Sequence, residues 1–319
     1  MTTIAEEQHM RITGTVVAAI LNCNPYMTEV EAQQKVQGKA PEFPTTEPMR
    51  HGLILEQPYG LMDREAEKHY GTMPQQPPGI MIHPEHGFLG AHLDRTMVRS
   101  RPEIEILEYK TTSVQTGWGA NLTDEVPLHV YWQVAHQLLV CPGPPRAHIQ
   151  AFLGVGDMRF YVIEREDVDL AKLEYHLVDW YDRHITRGVP VEPSSEADAR
   201  LLWPKESEST KEATKPVQVI LAALCANKDD IESLEKVREG YRRDLMKELG
   251  NAEGFHDPKT GDVLLRWKQK SSTRLDATRL KKEDPETYNN LLDLFPKVST
   301  TRAFTPVWTR LDKLFGREK

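Results

Sequence analysis

Two neighbouring stretches of the chain mix hydrophobic and polar residues in a way that favours β-strands, in which successive side chains point to opposite faces. The first stretch covers residues 88–97 and the second covers residues 104–111. Between them, residues 99–102 (Arg-Ser-Arg-Pro) favour a turn. Together the two stretches predict a β-hairpin.

Helical periodicity surrounds this hairpin, with apolar residues recurring every three or four positions. Cap residues, prolines and glycines mark the ends of these segments. The predicted helices cover residues 16–21, 29–37, 49–70 with an interruption near Pro58, 127–141 and 167–185. Further strands are predicted over residues 79–83, 147–155 and 159–163. This order of elements predicts an α/β (α+β) fold with a mixed central sheet flanked by helices.

The C-terminal part of the chain has a different pattern. A short helix near residues 196–203 and a polar link at 205–215 precede a long helix that ends at Gly250. A turn at 257–261, a strand at 263–270 and a helix at 285–295 follow. The long helix carries an apolar stripe that favours a core or a helix-pair seam: Ile231, Leu234, Val237, Tyr241, Leu245 and Leu249. We therefore expect two parts, a core of residues 1–190 and a helical plus β-hairpin C-terminal extension of residues 191–319.

The predicted hairpin carries candidate catalytic residues. Glu108 and Lys110 are two positions apart on one strand and so share a face. Asp94 lies near the end of the preceding strand, where a hairpin would bring its carboxylate close to theirs. Two carboxylates on one face bind hard cations such as Mg²⁺ or Mn²⁺. The alternative for a strand with this pattern is a solvated face or a cross-strand ion pair.

Two helices add polar residues to this picture. The interrupted helix at 49–70 would place Glu56 on an inner face beside Leu53 and Leu55. Gln133 and Gln137 are four residues apart and share one face of the helix at 127–141.

Composition limits the class of protein. The net charge of −8 argues against a general nucleic-acid coat, which would be basic, but is compatible with a nuclease whose acidic site is neutralised by metal ions. Cys23, Cys141 and Cys225 are isolated, so neither a disulfide framework nor a cysteine-based metal cluster is predicted. The chain shows neither an apolar run long enough to cross a membrane nor a secretory start, and we expect a cytoplasmic protein.

Positive charge is concentrated in one segment. Residues 259–282 contain eight Lys or Arg and two Asp, with Trp267 among them. Lys268 and Lys270 in this segment are candidate DNA contacts, and a solvated hairpin face is the equally weighted alternative.

Other site motifs are weaker. His51, His83, His86 and His92 match no common zinc spacing, and turn or strand-surface histidines are the preferred interpretation. The chain has no phosphate-binding loop of the G-x-x-x-x-G-K-[ST] type, so DNA processing would not require ATP.

Five motifs occur in one order along the chain. They are I-T-G-T-V-V-A-A-I-L-N-C-N-P-Y at 12–26, H-G-L-I-L-E at 51–56, G-A-H-L-D at 90–94, E-Y-K at 108–110 and Y-W-Q-V-A-H-Q at 131–137. Together they resemble the YqaJ-type viral recombinases, relatives of phage lambda exonuclease with a PD-(D/E)xK, restriction-endonuclease-like core. The resemblance covers roughly residues 8–190, and the tail is similar to the extension of longer members.

The resemblance implies roles for single residues. Asp94 and Glu108 would bind the metal, with Glu56 as an additional acidic ligand or orienting group. Lys110 would position the nucleophile, and Gln133 would contact the site. The implied cofactor is Mg²⁺, with Mn²⁺ as a substitute and two ions bound.

DNA contacts are implied as well. Thr15 lies where members have a small hydroxyl residue near the terminal phosphate. Some relatives have an arginine for this phosphate where this chain has Gln8, so Arg11 or another residue must take its place. Tyr131 lies one place after a family tyrosine position, and Arg95 stands where members have a glycine.

The function implied by the resemblance is a Mg²⁺-dependent, ATP-independent exonuclease. It would degrade one strand of linear duplex DNA, 5′ to 3′, for phage-type recombination with a single-strand annealing protein. By the same resemblance we expect a phage or prophage protein in a bacterial host, assembled as a homo-oligomeric ring such as a trimer. The alternatives are a Cas4-like or repair nuclease on the same core and a catalytically silent DNA-binding recombination accessory.

Overall fold

The computed structural model of the protein describes residues 10–40, 46–77, 79–100, 103–154, 156–207, 209–269, 271, 275–295 and 307–316. The chain divides into two compact units, one ending at Trp203 and the other beginning at Pro204. Residues 191–203 therefore belong with the first unit. They are held there because buried Asp198 accepts a hydrogen bond from the Thr28 hydroxyl at 2.6 Å.

Among the described residues, the first unit begins with four helices: α1 (Gly14–Ile20), α2 (Glu29–Val36), α3 (Glu47–Leu55) and α4 (Leu61–Tyr70). Thr28 begins α2 with a capping box, since its hydroxyl accepts from the N–H of Glu31 and its own N–H donates to the Glu31 carboxylate. The predicted interruption near Pro58 is confirmed, because α3 and α4 are separate helices. Leu53 is 64% exposed, so its expected place on an inner face is wrong.

A four-stranded mixed sheet follows, formed by β3 (Arg95–Ser100), β4 (Glu103–Thr111), β5 (Arg146–Phe152) and β6 (Met158–Glu164) in that spatial order. The β4–β5 pair is parallel and the two outer pairs are antiparallel. The predicted turn residues 101 and 102 lie outside the described part of the chain.

Residues 88–97 form two strands in different sheets, so the prediction of a single strand is wrong. β2 (Gly90–Ala91) pairs with β1 (Met81–Ile82), whereas β3 pairs with β4. Arg95 pairs with Leu107 in the antiparallel register. If β3 began two residues earlier, the same register would pair residue 93 with Tyr109. Instead, the carboxylate of Asp94 accepts the N–H of Tyr109 at 2.8 Å, and the chain turns away.

Helices cover both faces of the sheet. On one side lie α1, α5 (Leu128–Val140) and α6 (Leu170–Tyr181), which continues as one π-helical turn, Asp182–Thr186. On the other side, α4 packs Met62 and Ala66 against Leu107 and Tyr109 of β4. The unit ends with α7 (Glu196–Leu202). The predicted mixed sheet flanked by helices is thus confirmed.

The described residues of the second unit form helices and a β-hairpin. It contains α8 (Lys215–Leu249), β7 (Gly254–His256), β8 (Val263–Arg266), α9 (Ala277–Glu283), α10 (Pro285–Leu294) and α11 (Trp308–Leu314). The apolar stripe of α8 lies on the surface except for buried Leu249, so the core interpretation of that stripe is wrong. None of the described helices combines the length and the apolar content that crossing a membrane would require.

Candidate active site

The alternation of side chains along β4 places Glu108 and Lys110 on the face of the sheet that α5 covers. Ile106, next to them on that face, joins the main core, whereas Leu107 and Tyr109 point to α4. Glu108 is only 2% exposed, and the ammonium of Lys110 lies 2.5 Å from its Oε1. The predicted shared face of this pair is confirmed.

Two glutamines of α5 hold the Glu108 carboxylate. The amide of Gln133 donates to Oε1, and that of Gln137 donates to Oε2 at 2.6 Å. Gln137 also donates to the backbone carbonyl of His92 at 3.3 Å. Gln137 is a site residue that the sequence prediction left out, although its four-residue spacing from Gln133 was the signal for it.

Asp94 stands next to this pair, at the point where the chain enters β3. Its Oδ2 accepts the N–H of Tyr109, which fixes the carboxylate beside β4. Burial raises the pKa of Asp94 well above its ordinary value, and the negative charge of Glu108 raises it further. The charge of Lys110 acts in the opposite direction. Asp94 and Glu108 thus lie close enough for their charges to repel.

Glu56 belongs to the same electrostatic cluster. It lies at the C-terminal end of α3, a helix that packs against β4. Burial raises its pKa, while Lys110 lowers the pKa and Glu108 raises it. Burial would lower the pKa of Lys110, but the charges of Glu108, Asp94 and Glu56 outweigh burial, so its pKa is raised and the amine stays an ammonium.

The carboxylates of this cluster are candidate ligands for a hard divalent cation. Asp94, Glu108 and Glu56 bring three carboxylates into a half-buried space with one ammonium, Lys110. Repulsion between partly desolvated carboxylates is relieved when a cation binds among them. The donors are all oxygen atoms, which suits Mg²⁺ or Mn²⁺ better than a soft metal.

Thr15 and Arg11 are the residues predicted to contact the terminal phosphate. Thr15 is exposed in α1, and Lys35 of α2 donates to its hydroxyl at 3.3 Å. Burial lowers the pKa of Lys35, and among the described residues no carboxylate lies within ion-pair distance of it. Arg11 instead donates to the carbonyl of Gly87 at 3.4 Å. Lys35 is therefore a basic residue beside Thr15 that the sequence prediction missed.

The other predicted DNA contacts are Tyr131, Lys268 and Lys270. Tyr131 is two residues from Gln133 in α5 and so occupies another face of that helix. Burial raises the pKa of Tyr131, with Asp124 as the next cause. In the second unit Lys268 pairs with Glu253 at 2.5 Å, and Lys270 lies outside the described residues.

The histidines form a different group from the predicted one. His83 and His86 meet Glu174 of α6, with His86 Nε2 3.1 Å from the carboxylate. However, Nδ1 of His83 accepts the backbone N–H of His86 at 3.1 Å, which leaves the ring proton on Nε2. A metal on Nε2 would require that proton to move to Nδ1, against the N–H. This arrangement supports a hydrogen-bonded cluster, and the side chain of His83, at 10% exposure, is less exposed than the strand-surface histidine expected from the sequence.

Part of the chain is similar to a known protein family. Residues 6–142 match the model of the YqaJ-like viral recombinase domain. The chain is also 26% identical to "Uncharacterized protein YqaJ" of Bacillus subtilis (strain 168), over 89% of this chain and 88% of that protein. A solved structure, "Crystal structure of SSO0001", overlaps 53% of this chain and 74% of its own at 13% identity, and its TM-score of 0.34 is too low to carry an argument.

The matched segment contains the whole cluster that surrounds Glu108, from Glu56 at the C-cap of α3 to Gln137 in α5. Residues 6–142 of the chain are therefore similar to the YqaJ-like viral recombinase domain.

Proposed function

We propose that the protein is a Mg²⁺-dependent, ATP-independent exonuclease that degrades one strand of linear duplex DNA, 5′ to 3′, in phage-type recombination. The observation that carries the proposal is the convergence of Asp94, Glu108 and Lys110 on one side of β4. The YqaJ-like viral recombinase domain around these residues supports the same reaction class. In this proposal the mixed sheet is a PD-(D/E)xK nuclease core.

Asp94, Glu108 and Glu56 would hold the cation, with two ions bound. When bound, Mg²⁺ polarises the scissile phosphate and lowers the pKa of a coordinated water. Gln133 and Gln137 orient Glu108 by donating to both of its oxygens. Amide donors fix the direction of a carboxylate without adding charge, so the acid keeps its full attraction for a cation.

Lys110 supplies the positive charge next to these acids. Its raised pKa keeps the amine protonated at neutral pH. The residue therefore acts as a hydrogen-bond donor that orients the attacking water and as a counter-charge for the phosphate, and not as a proton acceptor.

The substrate end is recognised at α1 and α2. The Thr15 hydroxyl and the Lys35 ammonium, 3.3 Å apart, offer hydrogen-bond donors and one positive charge to a terminal phosphate. We further propose a single-strand annealing protein as partner, a homo-oligomeric ring as the assembly, and the cytoplasm of a bacterial host as the location.

Digestion of end-labelled linear duplexes tests the proposal. The wild-type protein should release nucleotides from the labelled strand in Mg²⁺ and not in EDTA, without ATP, and faster from ends that carry a 5′-phosphate. Asp94→Ala and Lys110→Ala should lower the rate by at least about a hundredfold. Lys68→Ala, at a lysine exposed on α4, is the matched control and should be unchanged.

Two results would contradict this function. If Asp94→Ala or Lys110→Ala digests DNA within a few-fold of the wild-type rate, the assignment of that residue to the active site is wrong. A wild-type protein that binds DNA ends and leaves them intact in Mg²⁺ and Mn²⁺ would instead favour a silent recombination accessory.

A further inference from the structure

A buried ion pair lies behind the proposed metal ligands, on the α4 side of the sheet. Arg95 of β3 is 5% exposed and Asp63 of α4 is 2% exposed, and Nε of the guanidinium lies 2.8 Å from the Asp63 carboxylate. A buried ion pair often contributes little net stability compared with apolar residues of the same size. Its presence next to the site therefore suggests a role beyond holding the fold together.

The guanidinium reaches three separate segments of the chain. Nη1 donates to the backbone carbonyl of Asp94 at 2.6 Å, and Nη2 donates to that of Glu56 at 2.7 Å. Nε donates to Asp63, which is fixed in turn by the Tyr109 hydroxyl at 2.8 Å. One planar group thus ties the backbones of two proposed metal ligands, at the end of α3 and the start of β3, to α4.

Asp63 is held from the other side as well. Its Oδ2 accepts the N–H of Tyr59 at 2.6 Å, in the turn that follows Glu56. Tyr59 has φ 60°, in the left-handed region, so this turn adopts a conformation that a non-glycine residue rarely takes unaided. The carboxylate of Asp63 therefore stabilises the turn that follows Glu56, while Arg95 holds the carbonyl of Glu56, the C-cap residue of α3, directly.

We propose that Arg95 and Asp63 form a positioning unit that sets the place of Glu56 relative to Asp94, and thereby the affinity of the site for its divalent cation. This inference rests on the proposed nuclease function and goes beyond it by assigning two residues that touch neither metal nor DNA. Because no residue of α3 is fully buried, the hydrogen bond from Arg95 to the Glu56 carbonyl is a principal restraint on the position of Glu56. An ion pair that served the fold alone would affect unfolding and leave cation affinity unchanged.

Arg95→Lys is the informative variant. It keeps a positive charge opposite Asp63, but a single ammonium cannot reproduce the planar fork that reaches three segments. Arg159→Lys is the matched control, because Arg159 also donates to one carboxylate, Asp157, and one backbone carbonyl, that of Gly119. Its partners lie outside the proposed site.

The measurements are Mn²⁺ binding to the DNA-free full chain by electron paramagnetic resonance, thermal unfolding, and digestion as a function of Mg²⁺ concentration. Arg95→Lys should weaken Mn²⁺ binding by about tenfold or more and raise the half-saturating Mg²⁺ concentration to match. Its rate at saturating Mg²⁺ should recover to near wild type, because Asp94, Glu108 and Lys110 are intact. Arg159→Lys should leave both quantities unchanged.

The possible results distinguish a failure of the positioning role from a failure of the proposed nuclease function. Wild-type Mn²⁺ affinity in folded Arg95→Lys, even with a lower melting temperature, would overturn the positioning role and leave the nuclease proposal standing. If Arg95→Lys does not fold, Asp63→Asn decides by the same comparison, since it keeps the shape of the side chain and removes its charge. A wild-type protein that neither binds Mn²⁺ nor digests DNA would overturn both.

Discussion

Gly14, the first residue of α1, allows a close approach to the site that any other residue would obstruct. A Cβ at this position would lie 2.8 Å from Cγ of Gln133, whereas ordinary contact begins at 3.4 Å. Gly14→Ala therefore requires a displacement of 3.4 − 2.8 = 0.6 Å, and Gln133 is the side chain in the way. The Gln133 amide donates to Glu108, so the displacement weakens the hydrogen bond that orients this carboxylate.

The magnitude follows from that bond. Hydrogen bonds to charged groups contribute about 1.5–3 kcal/mol, so its loss should slow digestion by about 10- to 150-fold. Stability should change less, since overpacking costs about 1–3 kcal/mol and replacing a helical glycine by alanine returns up to about 1 kcal/mol. We therefore expect Gly14→Ala to be a folded protein with a selective defect in digestion.

A double-mutant cycle that combines Gly14→Ala with Gln133→Ala tests whether the loss of digestion acts through the Gln133 side chain. In the Gln133→Ala background, Gly14→Ala should have little further effect, because the obstructing side chain is gone. Gly240→Ala in α8 is the matched substitution, since the nearest atom to its Cβ would be Nη2 of Arg243 at 3.9 Å, and it should only raise stability slightly. Full activity in Gly14→Ala, or an equal loss in both backgrounds, would refute the reasoning.

Three further predictions follow from the charges. Burial and Glu108 raise the pKa of Asp94, so the metal-free protein should lose stability as pH rises from the ordinary aspartate pKa through the raised one. Asp94→Asn should remove this dependence in thermal unfolding and stabilise the protein at pH 8 by about 1 kcal/mol while abolishing digestion; an unchanged profile would contradict it. Lys35→Gln should reduce the preference for 5′-phosphorylated over 5′-hydroxyl ends in digestion rates, and an equal effect on both ends would exclude the phosphate contact. Lys268→Glu with Lys270→Glu should lower the log–log salt slope of duplex binding by about 0.9 for each DNA phosphate that these lysines neutralise in the wild-type protein, and an unaltered slope would assign the segment to another role.

Features set by neighbouring residues could be predicted from the sequence. Glu108 and Lys110 share a face because strand alternation is a property of the backbone, and the capping box at Thr28 depends on a spacing of three residues. The interruption near Pro58 is equally local. These features remained in the structure because no distant contact competes with them.

Features that depend on distant contacts could not be predicted in this way. Arg95 and Asp63 are 32 residues apart and lie on a strand and a helix, so no periodicity links them. Residues 88–97 were predicted as one strand, yet the Asp94 carboxylate accepts the N–H of Tyr109 and the pairing with β4 ends there. The stripe on α8 has the spacing of a buried face, but spacing does not specify whether a partner covers it.

The hydrogen bonds around Glu108 have a consequence for the stability of the proposed enzyme when no metal ion is bound. Both oxygens of the Glu108 carboxylate already accept hydrogen bonds, from Lys110, Gln133 and Gln137. The Lys110 ammonium thus balances the negative charge of Glu108 in place of a metal ion. Binding of a cation would thus be an exchange in which Lys110 gives up Glu108, and chelation should inactivate the protein reversibly, without denaturing it. The same exchange would free the ammonium to face the phosphate only when a cation is bound, so that the metal-free protein would bind DNA without cleaving it.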